Sequence, residues 1–266
     1  MYSTNYHRAS SVADALKLLK KADDAKLVSG GMTLIPAMKT RLAAPSDLVD
    51  LRHVAELKGI KIAGKTVTIG AGTTHAEVAA HEKLKSVCHA IVYMAAHIGD
   101  PHVRHMGTIG GSLANNDPAA DYPAAMLAMD ATIVTNKREI AAAKFFTGLF
   151  ETALKDDEIV TAVTFTAPAK CGYEKFRNPA SRYAMTGVFV AKGKEGVKLA
   201  VTGAGDDGVF RSKPLEAALS KKFDPSALEG VTVPSSSLMS DIHASAEYRA
   251  NLVVVMAKRA VAAANG

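Results

Sequence analysis

Twice in this chain an apolar run breaks on a pair of glycines, picks up a hydroxyl residue and turns apolar again. The first instance is Leu27-Val28-Ser29-Gly30-Gly31-Met32-Thr33-Leu34-Ile35-Pro36. The second is Thr108-Ile109-Gly110-Gly111-Ser112-Leu113, followed by Asn115, Asp117, Pro118 and Asp121. Glycine allows positive φ and leaves no Cβ in the way, so main-chain N–H groups can closely approach a ligand. Successive N–H groups in such a bend form a concave anion site. Asp121 suits a ribose hydroxyl or another neutral donor, because an ionised carboxylate only accepts. Phosphate donors and an acid on one short stretch suggest a nucleotide cofactor. For a single Gly-Gly, a plain turn explains as much; two copies in one chain suggest a clamp on the two phosphates of one dinucleotide. Neither stretch has the G-x-G-x-x-G or Gly-Lys-Ser/Thr signature, so the usual NAD and ATP motifs are absent.

Periodicity and capping residues set these stretches among regular elements. Strands are predicted at 6–8, 25–28 and 47–51, with helices at 12–21 and 34–42, making a small α/β lobe that ends near residue 55. A second lobe follows, with paired strands at 59–63 and 67–70 around Gly64-Lys65. A helix opens at Thr73 or Thr74, with Glu77 placed for a capping box. Further helices are expected at 89–98 and 123–129, and strands at 131–135, 141–145 and 159–165. Residues 168–172 read as a linker. Three antiparallel strands (172–176, 187–191, 197–202) and helices near 214–220 and 248–263 form an α+β C-terminal domain.

Ser-Gly-Gly-Met-Thr-Leu-Ile-Pro with Met38-Lys39-Thr40-Arg41-Leu42, and later Arg104-His105-Met106-Gly107-Thr108-Ile109-Gly110-Gly111 with Asp117-Pro118 and Asp121, resemble the FAD-binding medium subunit of molybdenum hydroxylases. The resemblance is nearest to the carbon monoxide dehydrogenase and xanthine dehydrogenase relatives. It runs from about residue 6 to the C-terminus and is strongest over 25–125. It implies an α+β chain: a two-lobed FAD-binding domain of the PCMH type at 1–167 (lobes 1–55 and 56–167), then a smaller domain at 168–266. It also implies a cofactor site. Gly30, Gly31, Met32, Thr33 and Leu34 match the first FAD loop; Thr108, Gly110, Gly111 and Ser112 match the second, and Asp121 its later acid. Ile159 falls near a backbone contact to the flavin. Lys175 matches a base close to the isoalloxazine ring, and Tyr183 a residue shielding it. Ser29 and Asn115 complete the expected set. Met32 departs from relatives that carry His or Asn there.

The resemblance further implies a large partner subunit with the molybdenum cofactor and a small one with two [2Fe–2S] clusters, assembled as a dimer of heterotrimers. In that assembly this chain passes electrons through FAD to an external acceptor, and no catalytic side chain is expected on it. Cysteine usage is compatible: Cys88 and Cys171 are the only two, against about four needed per cluster. The net charge of +6 is scattered, and the chain has no Trp, which makes nucleic acid a poor partner. No apolar run reaches the ~18 residues of a membrane span, and the first residues lack a signal-peptide pattern, so the cytoplasm is the expected compartment. His97, His102 and His105 around Asp100 are read as solvated or supporting histidines rather than metal ligands. Asp117 and Asp121 also admit an acid/base reading. The rival functions are a stand-alone FAD-dependent oxidase or reductase, and a scaffold that has lost the cofactor.

Overall fold

A computed structural model describes residues 1–266. The first lobe is β1 (Asn5–Arg8), α1 (Val12–Leu19), β2 (Ala25–Val28), α2 (Leu34–Lys39) and β3 (Asp47–Asp50). Its sheet is parallel in the order β1-β3-β2. Parallel neighbours need crossovers, and the two helices supply them. Ser11 caps α1 by accepting from the Asp14 N–H, 3.0 Å. The central strand β3 is buried at all four positions. Val49 and Leu51 pack with Ala15, Val54, Leu57 and Ile159. Ile159 comes from the second lobe, so the two lobes share this small core.

The second lobe is built on an antiparallel sheet of β4 (Ile60–Ala63), β5 (Thr66–Gly70), β6 (Thr132–Thr135), β7 (Glu139–Ala141) and, after the short pair β8 (Phe146–Gly148) and β9 (Glu151–Thr152), β10 (Val160–Thr166). Its order is β4-β5-β10-β6-β7. Between β5 and β6 run α3 (His75–Ala79), α4 (Glu82–Val87), α5 (His89–Ala96), α6 (Pro101–Met106), α7 (Ile109–Asn115) and α8 (Tyr122–Ala128); α9 (Ala142–Phe145) follows β7. The capping box on α3 is present. Thr74 accepts from the Glu77 N–H, and Glu77 accepts from the Thr74 N–H at 2.7 Å.

Three expectations change here. The second glycine stretch is not a loop: Thr108 is the cap of α7, and Gly110 and Gly111 lie in its first turn. Glycine's poor helix propensity hid that helix. Residues 141–145, expected as a strand, are the end of β7 and helix α9. Helices α4 and α6 fell between the predicted elements; each is only six residues long, too short for a clear period.

The C-terminal part has β11 (Lys170–Arg177), β12 (Ala184–Gly193), β13 (Gly196–Thr202), β14 (Phe210–Arg211), α10 (Lys213–Lys221) and α11 (Ala246–Asn265). The antiparallel sheet therefore gains a short fourth strand, in the order β11-β12-β13-β14. Residues 168–172, read as a linker, run straight into β11. Both sheet faces are covered. Val188, Val190, Leu199 and Val201 pack with Val253, Met256, Ala257 and Ala260 of α11. Cys171, Tyr173, Phe189, Ala191 and Ala200 point the other way and join the 34-residue core of the second lobe, with Ala90 and Ile91 of α5 and Tyr122 and Ala125 of α8. No helix is long and apolar enough to cross a membrane.

Candidate functional site

A cavity of about 920 Å³ lies where the two lobes and the β11–β12 loop meet. Its walls include both glycine stretches. The first stretch follows β2 directly. Gly31 bends the chain with φ +70°. A Cβ on Gly30 would collide with the carbonyl of Met106, so glycine there lets the first loop press against the end of α6. The backbone N–H groups of Ser29, Gly30, Gly31, Met32, Thr33 and Leu34 have no acceptor in the protein. Thr33 and Leu34 open α2, where main-chain donors have no partner within the helix and are left to solvent or a ligand. Six consecutive free donors on the wall of a cavity form a site for an anion.

The second stretch works differently, and the symmetrical clamp expected from its composition does not form. Its amides are already used. Ile109 donates to the Thr73 carbonyl (3.1 Å), Gly110 to the Ala71 carbonyl (2.8 Å), and Gly111 to Thr108 Oγ1 (3.1 Å). Gly110 is small because the chain of Ala71 crosses it, 2.5 Å from where a Cβ would stand. This glycine pair serves close packing of α7 against the approach to α3. The two stretches do touch: Ser29 Oγ and Thr108 Oγ1 are 3.0 Å apart.

Of the fifteen expected site residues, all but Lys175 line this cavity. Lys175 stands one layer behind, 8% exposed, with Nζ 2.9 Å from Asp121 Oδ1. Asp121 is 4% exposed and also accepts from the Tyr173 hydroxyl. Both its oxygens are thus engaged inside the protein, one by a phenol and both by an ammonium. Burial and the Asp121 charge push the Tyr173 phenol well above its ordinary range, so it acts only as a donor. Asp117, also on the wall, has its carboxyl raised by burial. Tyr183 sits in the β11–β12 loop, which Asn178 holds by accepting from the Ala180 and Ser181 N–H groups. Burial and then the charges of Asp117 and Asp121 raise its phenol. Ile159 is buried, and its main chain is bound to Asn136 on both sides. Met32 is exposed, its side chain unengaged.

Among the wall residues not singled out from the sequence are His75 and Phe150. His75 is 5% exposed with Nδ1 unpartnered. Burial, then the Arg104 charge, pulls its imidazole down to about 4. Phe150 lines the cavity at 60% exposure. Neither is near a glycine stretch in sequence, and only the fold brings them in. His97, His102 and His105 do not gather into a ligand set.

Residues 2–168 match the model of the FAD binding domain in molybdopterin dehydrogenase. The carbon monoxide dehydrogenase medium chain of Afipia carboxidovorans is 35% identical, over 97% of this chain and 96% of that one. The glyceraldehyde dehydrogenase medium chain of Sulfolobus acidocaldarius is 33% identical, over 96% of each. A crystal structure of quinoline 2-oxidoreductase from Pseudomonas putida superposes with a TM-score of 0.88 at 26% identity, over 100% of this chain and 98% of that one.

Proposed function

The chain belongs to the family of FAD-binding domains of molybdopterin dehydrogenases, and from that premise we propose that it is the flavoprotein subunit of a heteromeric molybdenum hydroxylase. As an oxidoreductase component it would take electrons from [2Fe–2S] clusters on a small subunit and deliver them to an external acceptor. A large subunit would hold the molybdenum cofactor, and two heterotrimers would pair. The names of the relatives as medium chains support a multi-subunit enzyme. The cytoplasm is the compartment this reading assigns.

The observation that carries this reading is the row of six unpartnered amides from Ser29 to Leu34 on the wall of a cavity of about 920 Å³. Those donors fit a diphosphate. When bound, FAD supplies a carrier able to exchange electrons singly or in pairs. The residues of this chain hold and tune it. Ser29 to Leu34 take the diphosphate through main-chain N–H groups. Thr108, Gly110, Gly111, Ser112 and Asn115 form the facing wall. Asp121 and Lys175 place a matched pair of charges beside the ring end, with Tyr173 fixing the carboxylate. Tyr183 covers the ring from the β11–β12 loop. Ile159 closes the floor between the lobes.

The test is reconstitution of the purified chain with FAD, FMN and riboflavin. FAD should bind and riboflavin, lacking phosphate, should bind at least about a hundredfold more weakly, since each amide bond to a charged acceptor contributes about 1.5–3 kcal/mol. Equal affinity for FAD and riboflavin would sink the amide cradle. Co-purification settles the assembly: three chains with molybdenum and iron support the proposal, whereas a lone chain that turns over substrate supports a stand-alone oxidase.

A further inference from the structure

The short β8–β9 hairpin turns through Leu149 and Phe150. Phe150 has φ +55°, a left-handed conformation that a two-residue hairpin turn normally gives to Gly or Asn. A bulky aromatic there is strained, and strain of that kind gathers where a side chain has work to do. The strain is held in place from outside the hairpin. Asn116, at the end of α7, donates from Nδ2 to the carbonyls of Gly148 and Glu151, both at 2.8 Å. Its own carbonyl accepts from the Phe150 N–H at 3.1 Å. Three hydrogen bonds therefore clasp a turn whose only large exposed ring is Phe150, and that ring lines the cavity.

Its place along the cavity is set by its anchor. Asn116 opens the turn that leads through Asp117 to Asp121. The Tyr183 phenol feels the charges of Asp117 and Asp121, and Asp121 carries Lys175. Phe150 is thus held against the start of the Asn116–Asp121 segment, whose acids face Tyr183 and Lys175. From these observations, and resting on the FAD reading above, we propose that Phe150 is a stacking residue for the isoalloxazine ring, a second aromatic surface beside Tyr183 that the β8–β9 hairpin is strained to present. Nothing about the hairpin's own fold needs a ring at this position, and a glycine would relieve the turn.

That last point makes the test clean. Phe150→Gly and Phe150→Tyr are prepared in the full chain, and FAD and FMN affinities are followed by flavin fluorescence, with ADP measured by displacement of FAD. For Phe150→Gly, FAD and FMN should weaken about tenfold, the scale of losing one aromatic stacking partner. ADP should be unchanged, and the melting temperature of the flavin-free chain should hold or rise. Phe150→Tyr should stay within about threefold of the parent, because it keeps the ring. The proposal is overturned if FAD affinity is unmoved in Phe150→Gly, as it would be if the ring served a partner chain instead. It is equally overturned if ADP weakens while FMN does not, if the flavin-free chain melts earlier, or if Phe150→Tyr fails to rescue. A parent chain that binds no FAD at all sinks the cofactor reading itself; a parent that binds, with Phe150→Gly equal to it, sinks only this assignment.

Discussion

At the scale of single residues, Gly30, the Asp121–Lys175 pair and His75 show different physics in and just behind one cavity wall. Gly30 is small because another backbone is already there. Gly30→Ala would drive a methyl group into the Met106 carbonyl and should cost about 2–3 kcal/mol, typical of overpacking; urea unfolding of parent and variant reads this directly. Asp121 and Lys175 are a buried pair, and removing one member leaves the other charged and unpaired. Lys175→Met should therefore cost about 3–5 kcal/mol, while the double change Asp121→Asn with Lys175→Met should recover much of it; chemical denaturation of the set tests the coupling. His75 gives a pH dependence. Its folded value of about 4 lies below the ~6.5 of an unfolded histidine. Above pH 6.5 it is neutral in both states and costs nothing. As pH falls from 6.5 towards 4, only the unfolded chain takes up the proton, so stability drops, by about 3 kcal/mol over the whole window. His75→Gln should flatten that part of the stability curve between pH 7 and 5. An unchanged slope would mean His75 is not buried and neutral.

At the scale of elements, legibility followed the length and the signal of each segment. The capping box Thr74…Glu77 was readable because its chemistry is local. Thr74→Ala should cost about 1 kcal/mol, seen as a fall in melting temperature, and Thr74→Ser should cost little. Strand β2 was anticipated at its observed residues, and helices α1, α5 and α11 and strands β5, β10 and β12 with shifted ends. Helix α7 was not, because two glycines in its first turn argue for a loop by propensity. What keeps it helical is the local cap by Thr108 together with a tertiary contact, the carbonyl of Ala71 that receives the Gly110 N–H. The same change in secondary structure reassigned the chemistry. An identical-looking glycine pair offers six free amides in one place and none at its own start in the other.

At the scale of the whole molecule, the C-terminal sheet is part of the main core. Tyr173, Phe189 and Cys171 are buried in the same cluster as Ile91, Tyr122 and Met129, and Tyr173 also holds Asp121. A fragment ending at residue 168 exposes that cluster and should lose cooperative unfolding, which differential scanning calorimetry would show against the full chain. A fragment that melts sharply would establish an independent N-terminal domain. From residue types and spacing alone the chain determined most of its strands and both glycine stretches, and the resemblance those stretches carry supplied fourteen of the 36 wall residues of the cavity, because glycine pairs, caps and apolar periods are local signals. Which amides stay free, that Lys175 faces the cavity only through Asp121, that His75 is held neutral and that Phe150 is pushed into the wall were decided by packing between segments far apart in sequence. A donor is free or taken only according to what the rest of the molecule brings within 3 Å of it.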